Sequence, residues 1–164
     1  MRIGVISDTH IPTRARHLPA VLFEHFADVD LILHAGDLVD PQVLVDLAAI
    51  APVEAVAGNM DSPELQNKLG SKKILELAGF RIGLTHGHLG SYRHHTPQRA
   101  LSIFAQDAVD VVIFGHSHQP YLKKEKGILL FNPGSPTDRR RQPRHSCGLL
   151  LLDQKITAEI IYLS

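Results

Sequence analysis

Short apolar runs, each closed by a cluster of polar residues, recur along the first two thirds of the chain. Residues 2–6, 31–34 and 53–57 read as strands, and the amphipathic stretches 18–27 and 41–50 between them read as helices, the second opened by Pro41. This alternation is the pattern of βαβ units and a mostly parallel sheet. From Lys72 the pattern changes. Residues 74–77 and 80–85 flank Ala78 and Gly79 closely enough to predict a hairpin, which makes the sheet mixed. A helix over 97–106 leads to an apolar strand at 109–114. Residues 121–124, 128–131, 148–152 and 156–162 then predict a second half that is mainly β.

The polar clusters that end these strands carry the chemistry. Ser7-Asp8-Thr9-His10 follows the first strand, His34-Ala35-Gly36-Asp37 the second and Gly58-Asn59-Met60-Asp61 the third. His86-Gly87-His88 follows residues 82–85, and Gly115-His116-Ser117-His118 follows residues 111–114. Each cluster alone has an ordinary structural reading. Asp8 and Asn59 serve as caps or Asx turns, Gly36 and Gly58 as left-handed turns, and His34 as a satisfied core histidine. Loops at the carboxyl edge of an open α/β sheet lie side by side, however, so five such clusters in succession predict one shared site. If the extended geometry of residues 109–114 continued past Gly115, His116 and His118 would point to the same side.

Carboxylate oxygens and imidazole nitrogens without a thiolate suit a catalytic divalent ion and disfavour a structural cysteine-zinc site. The expected ligands are Asp8, His10, Asp37, Asn59, His86, His116 and His118, more than one ion needs. A pair of ions sharing a carboxylate, with Asp37 as the candidate bridge, would use them all and is the usual device for displacement at phosphorus.

Composition narrows the setting. With 164 residues, the chain predicts a single domain over 1–164, and 44% apolar with 21% charged residues is an ordinary globular composition. Lys plus Arg equals Asp plus Glu at 17 each, so charge indicates neither nucleic acid nor an anionic membrane as a partner. The lone Cys147 reads as a core residue. Together with the lack of a signal-peptide pattern or a long apolar span, it leads to the expectation of a cytoplasmic protein. Arg139, Arg140 and Arg141 form the only basic run, read either as a solvated turn or as a contact to a substrate phosphate. His17, His25, His94, His95 and His145 have no spacing partner and are read as background.

The ordered motifs Asp8-Thr9-His10, Gly36-Asp37, Gly58-Asn59-Met60-Asp61, His86-Gly87-His88 and Gly115-His116-Ser117-His118, followed by Asn132-Pro133-Gly134-Ser135, resemble those of the calcineurin-like metallophosphoesterases. The likeness is to the small bacterial and archaeal phosphodiesterases that are related to the retromer scaffold subunit. It implies two packed mixed β-sheets flanked by helices, a four-layer αββα sandwich of the α/β class. It also implies that Asp8, His10 and His118 hold one divalent ion, that Asn59, His86 and His116 hold the other, and that Asp37 joins them. Manganese is the favoured metal, with iron, nickel or zinc as alternatives.

The implied activity is hydrolysis of a small phosphate ester, a diester in preference to a monoester, by a metal-bound hydroxide. Asp37 and Asn59 take part in it. Met60 stands where many members carry a histidine that protonates the leaving group, and a thioether has no proton to give. Either His88 or a metal-bound water is the substitute donor, or the preferred esters have leaving groups that depart without help. The rival reading is a protein-binding scaffold on the same fold. Nothing in the sequence fixes the oligomeric state, which leaves a homo-oligomer open.

Overall fold

The computed structural model describes residues 1–93 and 95–163, so His94 lies outside the described residues. One five-stranded sheet is built in the order β10-β9-β1-β2-β3, from β1 (Arg2–Ile6), β2 (Leu31–His34), β3 (Val53–Ala55), β9 (His145–Leu152) and β10 (Ile156–Leu163). β1, β2 and β3 run parallel, whereas β9 and β10 join antiparallel. The second sheet has the order β4-β5-β6-β8-β7. It comprises β4 (Lys72–Leu77), β5 (Phe80–Thr85), β6 (Val111–Ile113), β7 (Tyr121–Glu125) and β8 (Ile128–Asn132). Parallel pairs β5/β6 and β6/β8 form its centre, and the antiparallel hairpins β4/β5 and β7/β8 lie on its two sides. Both hairpins turn on two residues of positive φ, Ala78-Gly79 and Lys126-Gly127, a turn whose twist matches that of the paired strands.

Alternation along the strands separates three apolar layers. Ile3, Val5, Leu31 and Leu33 of the first sheet meet Ile82, Leu84, Val111, Ile113 and Phe131 of the second, forming the core between the sheets. The opposite face of the first sheet, through Ile6, Ile32 and Cys147, is covered by the helices α1 (Ala20–His25), α2 (Gln42–Ala48) and α3 (Pro63–Leu69). α4 (Thr96–Ile103) covers the outer face of the second sheet with Ala100, followed by Phe104. The result is the expected αββα sandwich. Close approach of helix to sheet is bought by strand glycines: a Cβ on Gly4 would meet the Phe26 ring at 3.0 Å, and one on Gly83 the Phe104 ring at 2.9 Å.

Two expectations need correction. α3 was not expected from apolar periodicity, because its seven residues bury only Leu65. Its boundaries were written in other terms: Ser62 accepts a hydrogen bond from the Leu65 amide, Pro63 opens the first turn and Gly70 closes the last. The extended geometry does not continue past Gly115. His116 and His118 have φ of 71° and 59°, so they sit in a left-handed turn, not in a continued strand. No helix among the described residues is long and apolar enough to cross a membrane.

Candidate metal centre

The loops after β1, β2, β3, β5 and β6 meet at one edge of the sandwich. Backbone bonds tie them together: the Asp8 amide donates to Gly36 O and the His10 amide to Asp37 O, both at 3.0 Å, and the Gly115 amide donates to His86 O at 2.9 Å. Asp8, His10, Asp37, His116 and His118 all have φ between 43° and 71°. A non-glycine residue held there costs on the order of 1–2 kcal/mol, and such strain concentrates at functional sites. Gly58 is packed so tightly that a Cβ would overlap Asp37 Oδ1.

These turns aim acceptor atoms at one point. Asp8 Oδ1 lies 3.4 Å from His118 Nε2, 3.7 Å from His10 Nε2 and 3.8 Å from His86 Nε2. Asp37 Oδ2 lies 3.5 Å from His10 Nε2 and 3.1 Å from His86 Nε2. Two ligand groups result, Asp8 with His10 and His118, and Asp8 with Asp37 and His86. Both carboxylates therefore stand between imidazoles, Asp8 belonging to both groups and Asp37 reaching a histidine of each.

The opposite ends of Asp8, His86 and His118 are held. Asp8 Oδ2 accepts from Ser7 Oγ at 2.8 Å and from the His116 amide at 3.0 Å. His86 Nδ1 donates to Ala35 O at 2.8 Å, and His118 Nδ1 donates to Asp138 O. In the neutral rings Nε2 then carries a lone pair, the tautomer a metal ligand needs. Asp8 Oδ1, His10 Nε2, His86 Nε2 and His118 Nε2 are all buried without a hydrogen-bond partner. Acceptors buried face to face repel one another unless a cation lies between them, so this donor set fits a divalent ion.

Charge follows the same logic. Burial works to raise the pKa of Asp8, but His86, His10, His118 and the Ser7 hydroxyl outweigh it and hold the carboxyl well below the usual range. Burial likewise opposes ionisation of Asp37, and His86 and the Met60 amide overcome it. Burial disfavours protonated His86, yet Asp8 and Asp37 raise its pKa above the ordinary value. His118 is lowered mainly by burial, and His116 is lowered to about 4 by burial and by His86.

The remaining expected residues fall around this centre. The His116 ring lies 5.2 Å from that of His86, and His88 lies 5.3 Å from His86 and 6.3 Å from His116. Asn59 is exposed at the end of the β3 loop, next to Met60, whose amide donates to Asp37 Oδ1 at 2.8 Å. His88 is half-buried, with its pKa lowered by burial and by His86, so its ring is neutral at pH 7. α4 carries this loop: Arg99 Nη1 donates to His88 O at 3.4 Å and the Ser91 amide donates to Ser102 Oγ at 3.0 Å. Arg140 is the member of the basic run whose charge is felt at His118, whereas Arg139 is engaged with Gln142 O.

Four supporting residues were not assigned roles from sequence. Asp61 accepts from the amides of Asp37, Gly58 and Val39 at 2.7–2.9 Å, fixing two ligand loops at once. Asn132 Nδ2 donates to Gly115 O and Ser117 Oγ, and Ser135 Oγ donates to Asp8 O. Asp138 supplies the carbonyl that orients His118. The motifs containing Asp61, Asn132 and Ser135 were visible, but a carboxylate that serves backbone amides looks the same in sequence as one that faces a metal.

His34 is the satisfied core histidine. Nδ1 accepts from the Gly36 amide, so Nε2 carries the proton and donates to Thr9 Oγ1, both at 3.1 Å. Burial lowers its pKa from 6.5 to about 3. Between those values the unfolded chain binds a proton that the folded chain does not, so stability falls as pH drops through this window. The loss from this ring reaches roughly 2 kcal/mol by about pH 5. An NMR titration is expected to show the His34 ring shifts flat from about pH 8 to pH 5, and a midpoint near 6.5 would refute the assignment.

An αββα sandwich with a carboxylate–imidazole centre at the carboxyl edge of its parallel strands defines a class of metal-dependent hydrolases. The sequence profile of the calcineurin-like phosphoesterase superfamily domain matches residues 1–155, and the chain belongs to that family of metallophosphoesterases. A probable metallophosphoesterase of Methanothermobacter thermautotrophicus is 43% identical over 161 residues, covering 98% of this chain and 92% of the relative. A phosphodiesterase of Methanocaldococcus jannaschii is 30% identical over 150 residues, covering 82% and 83%. Among solved structures, wild-type Vps29 from Entamoeba histolytica, crystallised with Zn2+, is similar with a TM-score of 0.79 at 25% identity over 99% of both chains.

Proposed function

We propose that the chain is a dinuclear phosphodiesterase in which Asp8, His10 and His118 hold one divalent ion, Asn59, His86 and His116 hold the second, and Asp37 joins the two. The observation that carries this reading is that four buried, unpartnered atoms, Asp8 Oδ1 and the Nε2 atoms of His10, His86 and His118, fall in two adjoining ligand groups that share Asp8. The name of the archaeal phosphodiesterase relative supports the diester preference. Manganese is the favoured metal, and iron, nickel or zinc also suit oxygen and imidazole donors. The whole of 1–164 acts as one domain, and a lone buried cysteine fits the reducing cytoplasm.

Bound there, divalent ions neutralise phosphoryl charge and make a water nucleophilic near neutral pH. The protein's own part is positioning. Ala35 O and Asp138 O hold the His86 and His118 rings, and Asp61 fixes the loops of Asp37 and Gly58. His88, neutral at pH 7, orients a phosphoryl oxygen as a hydrogen-bond donor. With Met60 unable to protonate the leaving group, esters of acidic alcohols and phenols are favoured.

Manganese at about 100 times its dissociation constant is expected to stabilise the fold by about 2.7 kcal/mol. For a chain of this size that raises the melting temperature by roughly 5–10 °C relative to chelated protein. Hydrolysis of bis(p-nitrophenyl) phosphate is expected to vanish on chelation and return with manganese. Turnover that is indifferent to chelation would sink the proposal.

The likeness to Vps29 supports a second reading, a binding scaffold with little catalysis. It would be preferred if a protein partner bound equally well with and without metal and no phosphoester were hydrolysed.

A further inference from the structure

Acidic and basic residues balance at 17 each over the whole chain, but not beside the candidate metal centre. Residues 11–17, which follow His10, contain Arg14 and Arg16 and no acid. Residues 136–142, which follow Ser135, contain Arg139, Arg140 and Arg141 with Asp138 as the lone acid.

Hydrogen bonds seat both loops on the half of the centre formed by Asp8, His10 and His118. His10 O accepts from the Arg14 amide at 2.8 Å and from Thr13 Oγ1 at 3.0 Å. Thr137 Oγ1 donates to Thr9 O at 2.6 Å, and Asp138 O accepts from His118 Nδ1. The two loops meet at one side chain: Asp138 Oδ2 lies 3.5 Å from Arg14 Nε and 3.8 Å from His118 Nδ1. A single carboxylate thus separates the Arg14 guanidinium from the imidazole of an expected ligand, and the His10 ring is stacked on that imidazole with centroids 5.1 Å apart. Arg140 is two residues beyond Asp138, near enough for its charge to act on His118.

Both guanidinium groups are available. Arg14 contacts Asp138 through Nε alone, on a side chain that is 65% exposed. Its Nη atoms and the whole exposed Arg140 side chain have no hydrogen-bond or ion-pair partner among the described residues. Arg139, by contrast, donates to Gln142 O, and Arg144 donates to Tyr162 O and lies over the Tyr162 ring. Asp40, whose amide donates to Ile11 O at the start of the first loop, turns its carboxylate to the Gln42 amide.

We propose that Arg14 and Arg140 hold a second phosphate of the substrate, joined to the scissile phosphodiester through a short spacer such as a sugar. The inference rests on the phosphodiesterase reading and adds to it the chemistry of one substituent.

The charges select that group. Asp138 offsets one guanidinium, so a positive field remains beside the His10 and His118 half of the centre, from which a neutral substituent gains nothing and an ammonium group is repelled. A phosphate monoester carries close to two negative charges near pH 7 and has oxygens enough for both planar N–H forks. An ion pair this exposed is weak, so Arg14 is free to turn from Asp138 to a dianion.

The test compares thymidine 5′-(p-nitrophenyl phosphate) with the same ester carrying a 3′-phosphate, on the manganese-loaded protein. Base and leaving group are shared, so the ratio of the two kcat/KM values reads the second phosphate. The wild type is expected to prefer the 3′-phosphorylated ester by about 10- to 100-fold, chiefly through KM, with the preference shrinking as salt is raised. Arg14→Ala/Arg140→Ala is expected to lose most of that ratio, and Arg14→Lys/Arg140→Lys to keep part of it. Any disturbance of His118 falls on both esters alike. NMR of the chelated protein needs neither metal nor turnover: thymidine 3′-monophosphate is expected to shift the Nε–Hε signals of Arg14 and Arg140 and to leave that of Arg81, paired with Glu76, in place.

A preference below about threefold with unmoved Arg14 and Arg140 signals overturns the inference even if both esters are hydrolysed, and so does a preference that survives in the alanine variant. Shifted signals with neither ester hydrolysed keep the subsite and remove the phosphodiesterase reading instead. A single-stranded thymidylate decamer that displaces the mononucleotide at a strand concentration more than about tenfold lower assigns the second phosphate to a nucleic-acid strand, and displacement at a similar concentration assigns it to a small molecule.

Discussion

Asp37→Ala is expected to lower kcat/KM for an aryl phosphodiester by about 10³-fold, the loss typical of removing one strong electrostatic contact to a transition state. It is also expected to abolish the manganese-dependent rise in melting temperature. The carboxylate is placed to reach both halves of the centre, with Oδ2 at 3.5 Å from His10 Nε2 and 3.1 Å from His86 Nε2. Its other oxygen is committed to the Met60 amide. Asp37→Asn keeps an acceptor for that amide and removes the charge, so it separates the two roles. The asparagine variant should keep the metal-free stability of the wild type and share the catalytic defect. Measured rates for Asp37→Ala within tenfold of wild type would remove Asp37 as the shared ligand.

Asp61→Ala is expected to destabilise the fold by about 3–5 kcal/mol, read as a lower urea midpoint at an unchanged slope. The side chain is buried and accepts from the amides of Asp37, Gly58 and Val39. Truncation leaves all three without a partner, and each orphaned buried donor costs about 1–3 kcal/mol. Because Asp37 and Gly58 belong to the loops that form the centre, metal affinity should fall along with stability, by about 10- to 100-fold. Asp61→Asn can still accept from some of these amides, so an intermediate loss is expected. A destabilisation below about 1 kcal/mol for Asp61→Ala would show that water replaces the carboxylate.

The strands were legible as short apolar runs with sharp polar ends, and Ala78-Gly79 announced a hairpin, whereas their division into two packed sheets was implied only by the family resemblance. α3 escaped because its seven residues bury one leucine, and a short helix held by its cap and its final glycine has no periodicity to detect. The centre was legible as a set of strand ends, since topology alone brings such loops together. The turn at His116 and His118 was not. Left-handed conformations at histidine and aspartate are imposed by neighbouring loops and leave no trace in local sequence preference. Asp61 and Asp138 were equally hidden, because Asp61 serves backbone amides and Asp138 acts through its own backbone carbonyl, which any residue would supply.

The donors are divided between the sheets: Asp8, His10 and Asp37 come from the ends of β1 and β2, and His86, His116 and His118 from those of β5 and β6. During synthesis the first half of the chain therefore emerges with only part of the candidate donor set, which His86, His116 and His118 complete. Under the proposed assignment, an ion bound there would act as a clasp across the seam between the two sheets.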